Sequence, residues 1–91
     1  MMKRIVFQYD PFDIDSRIIF AEDERVTDIK VIPTSQITDV AVEIARAYAA
    51  YDAEKLSIYA PPVYFNELIE HINNYSLTNY SENIIKEVEN I

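Results

Sequence analysis

The chain has no glycine among its 91 residues, and this absence restricts both its turns and its chemistry. At the usual frequency of ~7%, about six glycines would be expected. Glycine takes positive φ angles without steric cost and lets the backbone approach a phosphate closely. The turns must therefore be made by proline, asparagine, aspartate and serine. The glycine-rich loops of nucleotide-binding enzymes are excluded.

Length and composition indicate a single folded domain over residues 1–91. The hydrophobic fraction is 49% and the charged fraction is 26%, which is typical of a globular domain with one core. Sixteen acidic residues against eight basic ones give a net charge of −8, so the chain would repel a phosphate backbone, and direct nucleic-acid binding is not expected. No segment is typical of a signal peptide or a membrane span. We therefore expect a cytoplasmic protein with no membrane partner.

The residue types that usually perform nucleophilic or acid–base chemistry are nearly absent. There is no cysteine, and the single histidine, His71, lies beside Glu70 but has no nearby serine that would complete a catalytic triad. We expect a protein that is not an enzyme and that uses no cofactor. The abundance of isoleucine and tyrosine is typical of AT-rich coding sequences. Small acidic proteins of this kind are frequent in phages and mobile elements, which favours a phage-like origin.

Alternating apolar residues predict three strands in the first third of the chain. They cover residues 3–10, 17–21 and 26–32, and a proline follows the first and the third. The acidic turn at residues 22–24 separates the second and third strands, which are therefore predicted to form an antiparallel hairpin. The third strand has one polar face, and we expect it at an edge of the sheet or with that face in solvent.

Helical periodicity predicts a long helix ending at Tyr51, with apolar residues three or four positions apart from Ile37 onward. A buried strand is predicted at residues 56–60. Pro62 then opens a second helix, which is expected to end near residues 73–74.

The end of the chain has the weakest pattern. Residues 75–80 alternate loosely, so a brief fifth strand is left open there, and a short helix with Ser81 as its N-cap is predicted to follow. The fold class is α/β, with α+β as the alternative. It comprises three N-terminal strands with a hairpin, then α-β-α and a short C-terminal helix, in a mixed sheet packed by two to three helices.

The order of these elements, β-β-β-α-β-α-(β)-α, resembles a reduced form of the RNase H-like fold, as found in RuvC-type and YqgF-type domains. The resemblance covers nearly the whole chain and rests on element order, without a sequence motif. It implies acids that hold divalent metal after the first strand, after the fourth strand and on the last helix. Asp10 matches the first position and Glu82 or Glu87 the third, but Tyr59-Ala60-Pro61-Pro62 places no acid at the second. The resemblance therefore implies an incomplete metal site and no nuclease activity.

Three sets of residues are candidate interaction sites. They are the carboxylates Asp10, Asp13 and Asp15, the turn acids Glu22, Asp23 and Glu24, and the tyrosines Tyr59 and Tyr64, which flank two prolines. The first set offers hard oxygen ligands, but a calcium loop also needs a glycine and a bidentate acid further along. Both are missing, so an acidic surface loop is favoured over a metal site. The turn acids are typical of a solvated hairpin, and the tyrosines of a strand-to-helix corner packed by its own rings.

Three functions are compatible with this sequence. The favoured one is a non-catalytic acidic module that binds another protein, as an inhibitor or adaptor of the phage or mobile-element kind, and whose edge strand would also allow a homodimer. The second is a nucleic-acid mimic that places carboxylates against the basic groove of a DNA- or RNA-binding protein. The third is a metal-dependent RNase H-like nuclease that uses Asp10 together with acids of the last helix.

Overall fold

The computed structural model describes residues 2–91 as a five-stranded mixed sheet with two helices. The strands are β1 (Lys3–Gln8), β2 (Asp15–Glu22), β3 (Arg25–Pro33), β4 (Lys55–Tyr59) and β5 (Val88–Asn90), and the helices are α1 (Ile37–Tyr51) and α2 (Pro62–Tyr80). The strands lie in the order β3-β2-β1-β4-β5. Strand β2 is antiparallel to β1 and β3, whereas β4 is parallel to β1 and β5. The predicted α/β class is confirmed.

The first four strands and α1 lie where the sequence predicts them, with ends that differ by one or two residues. The predicted hairpin is formed by β2 and β3, and β3 lies at an edge of the sheet as expected. Helix α1 buries Val40, Ile44 and Tyr48 on one side and leaves Asp39 and Arg46 exposed on the other. This division follows from the 3.6-residue period of its apolar positions.

The core lies between one face of the sheet and the two helices. Ile5 and Phe7 of β1 lie beside Leu56 and Ile58 of β4, and all four side chains are fully buried. Buried residues of α1 and α2 complete the same cluster. Because side chains alternate along a strand, the residues between them lie on the opposite face of the sheet, which neither helix covers. Within residues 2–91 neither helix is both long and apolar enough to cross a lipid bilayer.

Helix α2 is longer than the sequence predicts. It continues to Tyr80, so the predicted helix end at residues 73–74 and the brief strand at residues 75–80 are both wrong. Its buried positions Leu68, Ile72 and Ser76 recur every four residues, which keeps one side of the helix on the core. Packing along that side outweighs the low helix propensity of the two asparagines in the middle.

The predicted C-terminal helix is also wrong, because the chain ends in strand β5. Ser81, the expected N-cap, instead ends α2 with φ of 63°. A helix of so few residues is marginal in water, whereas β5 completes the hydrogen bonding of β4. The Leu56 N–H donates to the Glu87 carbonyl (2.8 Å), and the Ile91 N–H donates to the Ile58 carbonyl (2.9 Å).

Ser76 fixes the segment that follows α2. Its side chain is fully buried, and its hydroxyl accepts the Ile84 N–H (2.8 Å) and donates to the Glu82 carbonyl (3.0 Å). An alanine would leave both backbone groups without this partner, and an unsatisfied buried group costs about 1–3 kcal/mol.

We therefore expect Ser76→Ala to lower the free energy of unfolding by about 1–3 kcal/mol in urea titrations. Thr78→Ala, an exposed position on the same helix, is the matched control and is expected to change it by less than ~0.5 kcal/mol. Equal losses in the two variants would show that Ser76 has no special part in holding the C-terminal segment.

Three residues in the described range take the left-handed conformation that glycine usually supplies: Asp23, Asp52 and Ser81. Aspartate tolerates this conformation because its short side chain can hydrogen-bond locally. Serine is less suited to it, so Ser81 is the position where the absence of glycine costs most stability.

Ser81→Gly is expected to raise the free energy of unfolding by about 0.5–1 kcal/mol, because removing Cβ relieves ~1–2 kcal/mol of strain and the added freedom of the unfolded chain offsets part of it. Asp52→Gly is expected to give a smaller gain. Urea denaturation of both variants beside the wild type tests this, and a loss of stability in Ser81→Gly is the contrary result.

Candidate functional site

Residues 10–15 form a segment that we call the acidic loop, and the carboxylates of Asp10 and Asp13 hold its backbone. This loop joins β1 to β2. The Asp10 Oδ1 accepts the Phe12 N–H (2.9 Å), and the Asp13 Oδ1 accepts the Asp15 N–H (3.3 Å). The Asp13 N–H in turn donates to the Asp10 carbonyl (3.0 Å). These bonds, from side chain to backbone two residues later, order a turn that contains no glycine.

The ordered loop displays two large apolar side chains to solvent. Phe12 is 94% exposed and Ile14 is 82% exposed, the highest values among the large apolar residues described. Burying either against a partner would contribute about 1.5–3 kcal/mol. In the sequence, only the acids of this loop stand out as a candidate site. The sequence did contain a signal for Phe12: it is a large apolar residue between Pro11 and Asp13, in a turn whose side chains are not expected to reach the core.

A groove lies beside the acidic loop, where the parallel strands β1, β4 and β5 end. The Tyr9 N–H donates to the Tyr59 carbonyl (3.0 Å), which continues the pairing of β1 with β4 to this point. The groove has a volume of about 380 Å³ and is lined by Tyr9, Asp10, Pro11, Phe12, Tyr59, Ala60, Pro61, Tyr64 and Ile91; we call it the tyrosine groove. Open α/β sheets bind ligands in the crevice outside the carboxyl ends of their strands.

The rings of the tyrosine groove have different surroundings. Tyr9 is 7% exposed and packs edge-to-face on Tyr64, with ring centroids 5.8 Å apart. Burial raises the pKa of the Tyr9 hydroxyl above its ordinary value of 10.0, and the nearby Tyr64 and Glu67 raise it further. This hydroxyl is therefore protonated at neutral pH and can donate a hydrogen bond. Tyr59 is 45% exposed and offers its ring to an incoming group.

A second depression adjoins the tyrosine groove. It has a volume of about 280 Å³ and is lined by Gln8, Tyr9, Asp10, Asp13, Asp15, Arg17 and Tyr59; we call it the acidic hollow. It shares Tyr9, Asp10 and Tyr59 with the groove, so the predicted loop acids and the predicted tyrosine corner lie together at one end of the sheet. The arrangement suits a ligand with an apolar part next to a positive charge.

The other predicted acidic set lies at the opposite end of β2. Glu22, Asp23 and Glu24 form the β2–β3 turn, beside a depression of about 510 Å³ that they line with Arg25 and Thr27. The Asp23 N–H donates to the Met2 carbonyl (2.7 Å), and the Asp23 Oδ1 accepts the Met2 N–H (3.0 Å). This turn therefore ties the start of β1 to the hairpin and does not join the acidic loop in one site.

The acids that the RNase H-like resemblance assigns to one metal site do not lie together in the structure. Asp10 follows the carboxyl end of β1, whereas the Glu87 carbonyl pairs with Leu56 at the amino end of the parallel strand β4. Glu82 follows α2 in a loop, and the helix that would carry it is replaced by β5. In residues 2–91 no three histidine, cysteine or acidic side chains are grouped to hold a metal ion.

Strand β3, the edge on which a homodimer through strand pairing would form, carries features that oppose pairing. The Ile29 N–H donates to the Asp28 carboxylate (2.9 Å). The register with β2 shifts between Phe20 and Ala21, and Pro33 ends the strand without an N–H. Charged residues, bulges and proline are the usual protections of an edge strand. The homodimer stays a prediction.

The uncovered face of the sheet carries a polar cluster beside β5. The Ser57 hydroxyl donates to the Glu89 carboxylate (2.8 Å), and the Lys55 ammonium lies 3.2 Å from the same oxygen. These two groups hold the pKa of the Glu89 carboxyl below its ordinary value of 4.5. The ionised carboxylate therefore stabilises the folded chain above that pH, and this contribution is lost as the pH falls below it.

We expect wild type to melt at a higher temperature than Glu89→Gln at pH 7, and the difference to shrink as the pH is lowered below 4.5. Thermal unfolding followed by circular dichroism over this range measures it. Glu87→Gln, an exposed neighbour outside the cluster, is the control and is expected to show a smaller difference at pH 7. A difference that is constant with pH would contradict the assignment of the effect to the carboxylate charge.

Comparisons with protein-family models, curated protein sequences and solved structures find no significant match to this chain. The element order agrees with the predicted one through α2 and then ends in a strand in place of a helix. The RNase H-like relationship stays a prediction from element order.

Proposed function

We propose that this chain is a non-catalytic module that binds a basic protein partner through the acidic loop and the tyrosine groove. It would inhibit or adapt that partner, in the manner of the small acidic proteins of phages and mobile elements. The observation that carries the proposal is the exposure of Phe12 and Ile14, at 94% and 82%, on a loop that its own hydrogen bonds keep ordered.

The energetics of this loop support binding. Exposed apolar side chains favour burial against a partner, and a loop that is already ordered loses little conformational freedom when it binds. Phe12 also lines the tyrosine groove, so the exposed residues and the groove form one continuous surface. Aromatic residues near the centre of such surfaces commonly contribute most of the binding energy.

The charge of the chain supports a basic partner. The net charge is −8, and three of the sixteen acids lie in the acidic loop. A negative field speeds the approach of a positively charged surface and opposes acidic ones. The groups available in the groove, tyrosine hydroxyls and an Asp10 carboxylate already bonded to the Phe12 N–H, are suited to holding a ligand in place.

The proposal is tested by capture from a lysate of the native host with the immobilised chain, followed by mass spectrometry. We expect the double variant Phe12→Ala/Ile14→Ala to lower the recovery of the main captured protein at least ~10-fold, because each exposed side chain is expected to contribute more than 1 kcal/mol to binding. The double variant Val26→Ala/Leu77→Ala removes two other apolar side chains that are 55% and 56% exposed, and it should leave recovery unchanged.

Equal capture by wild type and both double variants would contradict the proposal. The salt dependence separates it from the nucleic-acid mimic. The proposed basic partner binds more weakly when ionic strength is raised but keeps the part of its affinity that comes from Phe12 and Ile14, whereas a partner held by phosphate-like carboxylates alone is released by salt whether or not Phe12 is present.

A further inference from the structure

We infer that the tyrosine groove and the acidic hollow together bind an extended, proline-containing segment of the partner, with an arginine or lysine of that segment in the hollow. This inference rests on the proposed function and names the chemistry of the partner. The partner segment would be in polyproline II conformation, and its proline rings and aliphatic side chains would pack on the tyrosines.

The lining of the groove points to this conformation. Four aromatic residues, Tyr9, Phe12, Tyr59 and Tyr64, line the groove, and its other lining residues are Asp10, Pro11, Ala60, Pro61 and Ile91. Proline-rich segments dock in aromatic-lined grooves because they are already extended and lose little entropy on binding. A partner strand would instead need a free sheet edge, and this groove lies at the ends of the strands.

The groove also offers hydrogen-bond donors. A polyproline II segment makes no internal hydrogen bonds, so its carbonyl groups need donors from the surface that binds it. Tyrosine hydroxyls at the rim of an apolar groove supply them. Tyr59 is the most accessible of the three tyrosines: it is exposed, whereas Tyr64 is partly buried and Tyr9 is buried.

The charge of the acidic hollow favours a basic residue next to the proline in the partner segment. The acidic hollow is lined by the acidic residues Asp10, Asp13 and Asp15 and by one basic residue, Arg17. The hollow shares Asp10 and Tyr59 with the groove, so a cationic side chain adjacent to a proline would reach it. A charged hydrogen bond from a guanidinium to these carboxylates is stronger than a neutral one.

A second copy of this chain fits the site poorly. Its most exposed apolar residues, Phe12 and Ile14, belong to the acidic loop, and their insertion would bring three more carboxylates against the hollow. Like charges in contact oppose binding. The charge of the hollow therefore favours a basic segment of another protein.

Synthetic peptides test the inference directly. A fluorescein-labelled proline-rich peptide with two arginines at one end is titrated with the full chain and followed by fluorescence anisotropy. Two control peptides have the same length: one replaces the arginines by glutamates, and the other replaces the prolines by alanines. We expect the first peptide to bind at least ~10-fold more tightly than either control, and amide shifts in nitrogen-15 spectra to centre on residues 9–15 and 59–64.

Matched variants locate the two parts of the site. Tyr59→Ala is expected to weaken binding at least ~10-fold, whereas Tyr80→Ala, another exposed tyrosine, leaves it unchanged. Tyr59→Phe keeps the ring and separates packing from the hydroxyl bond. Asp15→Asn removes a charge of the hollow and should weaken the arginine peptide about 3- to 10-fold at low salt and less at high salt, with Glu70→Gln as the control.

Other outcomes overturn the inference in distinguishable ways. Equal binding of the three peptides, or shifts away from the groove, would refute a proline-selective site. Capture of a host partner that depends on Phe12 and Ile14, combined with no peptide binding, would refute this inference and leave the proposed function standing. If neither peptide binding nor capture that depends on Phe12 and Ile14 is observed, the inference and the proposed function are both refuted. A dimer in light scattering that Tyr59→Ala dissociates would assign the groove to a second copy.

Discussion

The parallel pairing of β1 with β4 is the interaction on which the rest of the structure depends. It places Ile5 beside Leu56 and Phe7 beside Ile58, in the centre of a fully buried cluster. Parallel neighbours need a long crossover, and here the crossover includes α1. The same pairing brings the carboxyl ends of two strands together, and the tyrosine groove lies at that end. The core and the candidate site therefore both depend on the pairing of β1 with β4.

The absence of glycine shapes the surface as well as the turns. Aspartates take two of the three left-handed positions described, and other aspartates hold the acidic loop by bonding to its backbone N–H groups. The acids thus have two uses in the same loop: they order it, and they give it the charge that faces a partner. An ordered loop is what makes the exposure of Phe12 and Ile14 significant, because a disordered loop would expose apolar residues without defining a surface.

The two faces of the sheet differ in character. The helices bury one face, and the other is left with the Lys55, Ser57 and Glu89 cluster and a row of exposed apolar residues on β3. Hydrogen bonds and ion pairs are used there to attach β5, a strand of only three residues. The end of the sheet, where loop, strand ends and α2 meet, has the combination of concave shape, aromatic lining and charge that a binding site requires.

Local sequence pattern was sufficient for the first four strands, α1 and the hairpin, because alternation and helical periodicity are strong where each element has one apolar side. The acids of the loop and the tyrosines of the corner could be named as separate candidates from their close spacing and from the two prolines that the tyrosines flank. The pattern did not reveal Phe12 as part of the site, since an apolar residue in a turn has no periodicity to identify it.

Tertiary structure decided residues 75–91 and the assembly of the site. Residues 75–80 are helical because α2 keeps one side on the core as far as Ser76, and residues 88–90 are a strand because they pair with backbone groups of β4. Neither reason is visible in local propensity. The union of Asp10, Tyr59 and Tyr64 in one groove likewise depends on the pairing of β1 with β4, which joins segments that lie about fifty residues apart in the sequence.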